Sequence, residues 1–269
     1  MSTSPFAIII PARYASSRYP AKPLAPLVGA TGIAKPLIQR SWECAMQIVG
    51  AVGVWVATDD DRIADVVTKF GGQVIITSPD RENGTARCAE AAAQIAPDVD
   101  IIVNLQGDAP LSPAFVVTDL VNALAAEPDV IMATPAVRCS HSTYNHLLAD
   151  RAAGRVGGTT VVIGQGDRAI YFSKEVLPFL PSASASQPIP PVHLHLGLYA
   201  YRRAALERYV AAPPCELEQL EGLEQLRFLD LGLPVRVVRI DELAWDSIEL
   251  NNPSDSAIIE RVLRERGIA

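Results

Sequence analysis

Four short apolar, β-branched runs, Phe6 to Pro11, Val52 to Thr58, Gln73 to Thr77 and Asp100 to Leu105, each stop at polar or small residues. Runs that are apolar on both faces suit parallel strands buried between helices. The stretches that separate and follow them, about Lys35 to Ile48, Asp61 to Phe70, Gly84 to Ile95 and Pro113 to Leu124, have helical periodicity. Ser112 is the expected N-cap of the last, with Pro113 at its first helical position. This alternation predicts an α/β chain with a Rossmann-like doubly wound sheet over its first half.

After Asp129 the rhythm changes. Strand-like pieces at Val130 to Val137, Arg155 to Ile163, Ala169 to Phe172 and Val192 to Tyr201, with only short helical candidates among the first of them, predict a β-rich insertion. Pro181 to Pro191 (PSASASQPIPP) suits an exposed loop. A helix at Glu216 to Leu229, a strand at Val235 to Ile240 and a helix at Pro253 to Arg266 return the chain to α/β. One domain is expected, with a nucleotide-binding part over about 1–128, a β-rich part over 129–215 and a closing segment over 216–269.

The 269 residues, 49% hydrophobic and 20% charged, are ample for a globular core and exclude a disordered or collagenous chain. A formal charge of -7 disfavours nonspecific binding to nucleic acid or anionic membrane. The first residues lack a basic segment ahead of the apolar run, and no apolar stretch approaches the roughly 18 residues of a spanning helix, so a cytoplasmic protein is expected. Cys44, Cys88, Cys139 and Cys215 form no C-x-x-C pair and read as reduced thiols.

The segment after the first strand, Pro11-Ala12-Arg13-Tyr14-Ala15-Ser16-Ser17-Arg18-Tyr19-Pro20-Ala21-Lys22-Pro23-Leu24, is the most informative. Loops at the carboxyl ends of such strands face the ligand crevice. Small residues let backbone N–H groups approach an anion, and Arg13, Arg18 and Lys22 supply charged donors for a polyphosphate. A solvated basic loop is the plainer alternative. Neither a Walker A loop nor G-x-G-x-x-G is present, which disfavours a dehydrogenase. Gly107-Asp108 ends the fourth strand, either as a turn or as a carboxylate holding Mg²⁺ against phosphates. Asn83-Gly84-Thr85 with Arg87 reads as a turn into a capped helix. His193 and His195 alternate with Val192, Leu194 and Leu196, but no third ligand is spaced for zinc.

The form PARYxSxRxPxKPL resembles the signature of sugar nucleotidyltransferases, and specifically of the CMP-Kdo synthetases (3-deoxy-manno-octulosonate cytidylyltransferases). The resemblance continues through Ala57-Thr58-Asp59-Asp60, Thr77 to Arg87, Asn104 to Pro110, Tyr171 to Lys174, His195 to Tyr201 and Leu217 to Arg227, covering roughly residues 6 to 266. It implies a magnesium-dependent enzyme in which an ulosonic acid such as Kdo attacks the α-phosphate of CTP, giving a CMP-sugar for lipopolysaccharide or capsule synthesis and releasing pyrophosphate. It implies Arg13, Arg18, Lys22 and Asp108 in catalysis. Ala12, Arg13, Ser16, Lys22, Gly84, Thr85, Arg87 and Gln106 fall on CTP, with donors around Gly84 and Thr85 reading cytosine. Gln106, His195, Tyr199, Glu224 and Gln225 fall on the sugar acid, Asp108 and Asn251 on the metal, and a homodimer is implied.

Three departures stand out. Ala109 replaces the glutamate of the family's Gly-Asp-Glu-Pro, Thr160 falls at a lysine position, and Asn251 stands where a second metal-binding aspartate is usual. Glu249, two residues earlier on the same strand face, is a candidate substitute. These departures leave open another acidic sugar, such as 8-amino-Kdo, or a nucleotide-sugar binding protein that has lost catalysis.

Overall fold

The computed structural model describes residues 4–15, 19–181, 187, 189–241 and 249–269. In chain order its strands are β1 (Phe6–Ala12), β2 (Pro26–Val28), β3 (Ala34–Pro36), β4 (Ala51–Thr58), β5 (Gln73–Ile76), β6 (Ile101–Leu105), β7 (Met132–Arg138), β8 (Thr160–Ile163), β9 (Ala169–Ser173), β10 (His193–His195), β11 (Leu198–Arg202) and β12 (Val235–Ile240). The α-helices are α1 (Leu37–Met46), α2 (Asp61–Lys69), α3 (Gly84–Ala92), α4 (Ala114–Ala126), α5 (His141–Ala152), α6 (Arg203–Ala211), α7 (Glu216–Glu221), α8 (Leu226–Asp230) and α9 (Asp255–Glu265).

The main sheet runs β5-β4-β1-β6-β11-β7-β10-β8-β9, with β12 also paired to β7. Strands β5, β4, β1 and β6 are mutually parallel. Along β1, Phe6, Ile8 and Ile10 pack into one apolar cluster while Ala7 and Ile9 pack into another, so both faces are covered. Chain order departs in opposite directions from β1: β4 and β5 lie on one side, β6 on the other. That reversal opens a crevice at the carboxyl ends of β1 and β6, beside Arg13 and Asp108.

The four strands expected in the first half fall within a residue or two of β1, β4, β5 and β6, and β12 has the expected bounds, whereas the β2–β3 pair was not expected. Other elements differ for identifiable reasons. The helix expected from Lys35 begins at Leu37, because Pro36 holds Lys35 extended in β3. Ser112 is not the N-cap of α4: Pro113 takes that position, and the Ser112 hydroxyl donates to the Ala109 carbonyl at 3.0 Å. The β-rich part contains a twelve-residue helix, α5, capped by Ser140. The strand expected from Arg155 starts only at Thr160, and that expected over Val192 to Tyr201 is split between β10 and β11. The single helix expected over Glu216 to Leu229 breaks at Gly222, whose φ of 61° is left-handed, into α7 and α8. All four cysteines are free thiols.

Candidate active site

Lys22 opens a 3₁₀ turn, Lys22–Leu24, that follows Ala21 in the left-handed region at φ 56°. The turn directs Lys22 Nζ onto Asp108 Oδ2 in an ion pair between two partly exposed side chains. Asp108 is held there from two sides. A Cβ on Gly107 would lie 2.7 Å from the Pro11 carbonyl oxygen, so only glycine lets the β6 loop pass so close to the end of β1. On the other side, Leu250 N–H donates to the Asp108 carbonyl at 2.8 Å. That bond brings Asn251 and Glu249 to the same region, where Asn251 Nδ2 donates to Glu249 Oε2 at 3.4 Å. Ser16 and Arg18 lie outside the described residues.

One cleft opens on this crevice and a second adjoins it. The first, about 220 Å³, is bordered by Ala12, Arg13, Asn83, Gly84, Arg87 and Gln106, among others. The second, about 480 Å³, includes Tyr199, Gly222, Glu224 and Gln225 in its wall. Glu82 and Asn83 belong to both. Most residues expected on the nucleotide therefore gather in one cleft, and three expected on the sugar acid in its neighbour.

Gly84 is the first residue of α3. A methyl group there would meet Pro11, Asn104 and Gln106 only at ordinary distances of 3.5–3.6 Å, so the protein tolerates it but the cleft would be partly filled. Thr85 does not present the donors expected of it. It is wholly buried; its N–H donates to Glu224 Oε2 at 2.9 Å and its hydroxyl pairs with Tyr201 OH at 2.9 Å. Arg87 is likewise anchored, donating to Thr77 Oγ1 at 2.5 Å and lying 3.3 Å from Asp59 Oδ1. Burial lowers its pKa, with Asp59 opposing.

His195 stands behind the second cleft rather than in its wall. Its Nε2 pairs with Thr134 Oγ1 at 2.8 Å, and Phe172 meets the ring edge-on at a 5.0 Å centroid separation. Burial pushes its pKa down to about 3, so it is a neutral prop 5.5 Å behind the Tyr199 ring. Among the described residues no group of three His, Cys, Asp or Glu side chains could hold a metal. Thr160, at the expected lysine position, is buried and donates to the Glu175 carbonyl at 2.6 Å.

Glu224 is half-buried. Burial raises its pKa, while the N–H and hydroxyl of Thr85 act in the opposite direction. Beside it, Tyr199 OH donates to Gln225 Oε1 at 3.4 Å, and Gln225 Nε2 is buried without a hydrogen-bond partner in the protein. Asn104 Nδ2 is in the same condition, while Asn104 Oδ1 accepts from Gln106 Nε2 at 3.3 Å. Sequence reasoning passed over Asn104, although an amide inside the apolar run IIVNL is itself a signal. It passed over Glu82 and Asn83 as cleft residues for want of any such signal.

A profile of the family described as Cytidylyltransferase matches residues 7–235. The chain belongs to the cytidylyltransferase family. Among these enzymes it is 41% identical over 259 residues to the 3-deoxy-manno-octulosonate cytidylyltransferase of Maricaulis maris (strain MCS10), covering 96% of this chain and 97% of the relative. It is 38% identical over 259 residues to the 8-amino-3,8-dideoxy-manno-octulosonate cytidylyltransferase of Shewanella sediminis (strain HAW-EB3), covering 94% and 96%. The solved structure of a CMP:2-keto-3-deoxy-manno-octonic acid synthetase complexed with CTP superposes with a TM-score of 0.82 at 33% identity, covering 97% of this chain and 99% of that one. The cytidylyltransferase assignment thus spans both clefts and the crevice between them.

Proposed function

We propose that this cytidylyltransferase binds CTP in the cleft beside Arg13 and Gly84 and a 3-deoxy-2-ulosonic acid, Kdo or its 8-amino relative, in the cleft beside Tyr199 and Glu224. The carrying observation is the shared wall at Glu82 and Asn83, which sets the two clefts edge to edge. The anomeric hydroxyl oxygen attacks the α-phosphorus and forms a new P–O bond. The bond to the bridging α–β oxygen breaks, pyrophosphate leaves with that electron pair, and the hydroxyl proton passes to solvent. No covalent enzyme intermediate is needed.

The chain's contribution is alignment and charge compensation. Lys22 and Arg13 act on phosphate charge, Gln106 lies within the nucleotide cleft, and Glu224, Gln225 and Tyr199 meet sugar hydroxyls. The unpartnered Nδ2 of Asn104 and Nε2 of Gln225 are donors suited to polar ligands. The Thr85 donors are consumed within the protein, so base reading falls to Gly84 N–H, Arg13 and the other groups of that cleft.

Asp108, with the Asn251 amide and Glu249 close by, forms a hard oxygen set that fits Mg²⁺ provided the triphosphate supplies further ligands. Bound there, Mg²⁺ would neutralise phosphate charge and polarise the α-phosphate.

The reading includes a homodimer and a cytoplasmic setting. Ile170, exposed on edge strand β9, supports association. No helix among the described residues is long and apolar enough to cross a membrane. A panel of Kdo, 8-amino-Kdo and other ulosonic acids, each mixed with CTP, UTP or ATP and Mg²⁺, tests the function. Pyrophosphate release with CTP and one of the two octulosonates is expected; release with none, or with UTP as readily as CTP, overturns the reading.

A further inference from the structure

Glu82, which is exposed, and Asn83, the two residues common to both clefts, are also the two ends of one polar circuit with a buried centre. Asn83 Oδ1 caps α3 by accepting Ala86 N–H at 2.9 Å, and its Nδ2 donates to Tyr209 OH at 2.7 Å. Tyr209 OH donates onward to Glu218 Oε1 at 3.0 Å. Arg227 grips both oxygens of Glu218, through Nε at 2.6 Å and Nη2 at 2.7 Å, and Nη2 reaches Glu82 Oε2 at 3.4 Å. The Arg227 guanidinium also lies 3.9 Å over the Tyr209 ring.

Tyr209, Glu218 and Arg227 are 0%, 7% and 4% exposed. In such surroundings a satisfied network is rigid, and breaking one member leaves the remainder unpaired. The circuit joins α6, α7 and α8 to the residues that begin α3. A second tie, Thr85 N–H to Glu224 Oε2, runs in parallel. Glu218 and Glu224 border the sugar-side cleft, Gly84 borders the nucleotide cleft, and Asn83 borders both. Ordering one wall therefore orders the other.

Resting on the two-substrate reading above, we propose that Tyr209 is a positioning residue through which the two clefts are coupled, so that nucleotide and sugar acid bind with positive cooperativity. Its hydroxyl is the pivot because it accepts from Asn83 and donates to Glu218 at once. A ligand that fixes α7 and α8 fixes Asn83 through that oxygen, and the second ligand then has less ordering to accomplish. The coupling must be reciprocal, since it is a property of the ternary complex.

The test is calorimetric titration of the whole protein with CTP, with and without a saturating 2-deoxy ulosonic acid, which lacks the attacking hydroxyl and cannot react. In the unmodified protein the analogue should tighten CTP about fivefold or more, and CTP should tighten the analogue by the same factor. In Tyr209→Phe that factor should fall below about twofold while the affinity for each ligand alone changes less, a pattern that mere loss of stability would not produce. Should Tyr209→Phe not fold, Arg227→Lys opens the same circuit by giving up the two-pronged grip on Glu218, at a residue in neither cleft wall, and is read in the same way. Uncoupled binding in the unmodified protein, or a variant that folds and keeps the full factor, overturns the proposal and leaves the two-substrate reading standing. Failure of CTP to bind at all overturns both.

Discussion

Lys22 and Asp108, 86 residues apart in sequence, form an ion pair at the mouth of the crevice between β1 and β6. The pair joins a cation suited to phosphate and a carboxylate suited to a metal. Both are partly exposed, and such pairs contribute about 1 kcal/mol or less to stability. Lys22→Ala should therefore lower turnover by about 10²–10³, the scale of losing one charge-stabilising donor. Thermal unfolding should shift little. Pyrophosphate release and a melting curve on one preparation give both quantities, and unchanged turnover would remove Lys22 from the chemistry.

Gly84 separates binding from stability. Its substitution by alanine meets no neighbour closer than 3.5 Å, and alanine suits a helix better than glycine by up to about 1 kcal/mol. Gly84→Ala should consequently fold at least as well as the parent. The added methyl projects into the nucleotide cleft and should weaken CTP by about tenfold, as overfilling a fitted contact costs about 1–3 kcal/mol. Equal CTP affinity in calorimetry would remove Gly84 from the nucleotide site.

The parallel strands and the crevice were legible because their signal is local: an apolar run, a polar stop, a helical period. The insertion of β11 between β6 and β7 was not, since antiparallel pairing of Tyr199 with Asn104 leaves no mark in either segment. Within the site, residue type suggested which side chains gather at the clefts but not which way their polar atoms face. Thr85 looked like a donor to a base, yet its hydroxyl is taken by Tyr201, 116 positions away. His195 looked like a sugar ligand, yet Thr134 and Phe172 hold it behind Tyr199. Gly222, within LEQLEGLEQLR, carried an unused local warning that the helix would break.

His195 makes a pH-dependent contribution to stability. Its folded-state pKa of about 3 lies below the 6.5 of an unperturbed histidine because its ring is buried. Between those values the unfolded chain binds a proton that the folded chain refuses, so stability is full above pH 6.5 and declines as pH falls toward 3. One such proton corresponds to about 1.4 kcal/mol per pH unit. Urea unfolding of His195→Gln should show a shallower decline over that window, by about one proton, whatever its stability at neutral pH. An unchanged slope would mean that the ring is protonated, or reached by water, in the folded protein.

Asn251 sets the last expectation, because it supplies an amide where a second carboxylate is usual in the enzymes this chain resembles. Leu250 N–H bound to the Asp108 carbonyl keeps Asn251 and Glu249 at the site, so either oxygen donor is placed to take part. Glu249 is constrained, however: Asn251 Nδ2 donates to its Oε2, and its Oε1 lies 2.8 Å from where a Cβ on Gly197 would be. With no group of three acidic, His or Cys ligands among the described residues, Mg²⁺ is expected to arrive largely with the triphosphate, as it does where one or two carboxylates and substrate phosphates suffice. Asp108→Asn should then abolish turnover, while Glu249→Gln should leave the Mg²⁺ concentration for half activity within about twofold of the parent. Asn251→Asp should lower that concentration by restoring a charged ligand. A large rise in Glu249→Gln would instead show that this carboxylate has taken over the missing charge, and full activity in Asp108→Asn would remove the metal from this end of β6.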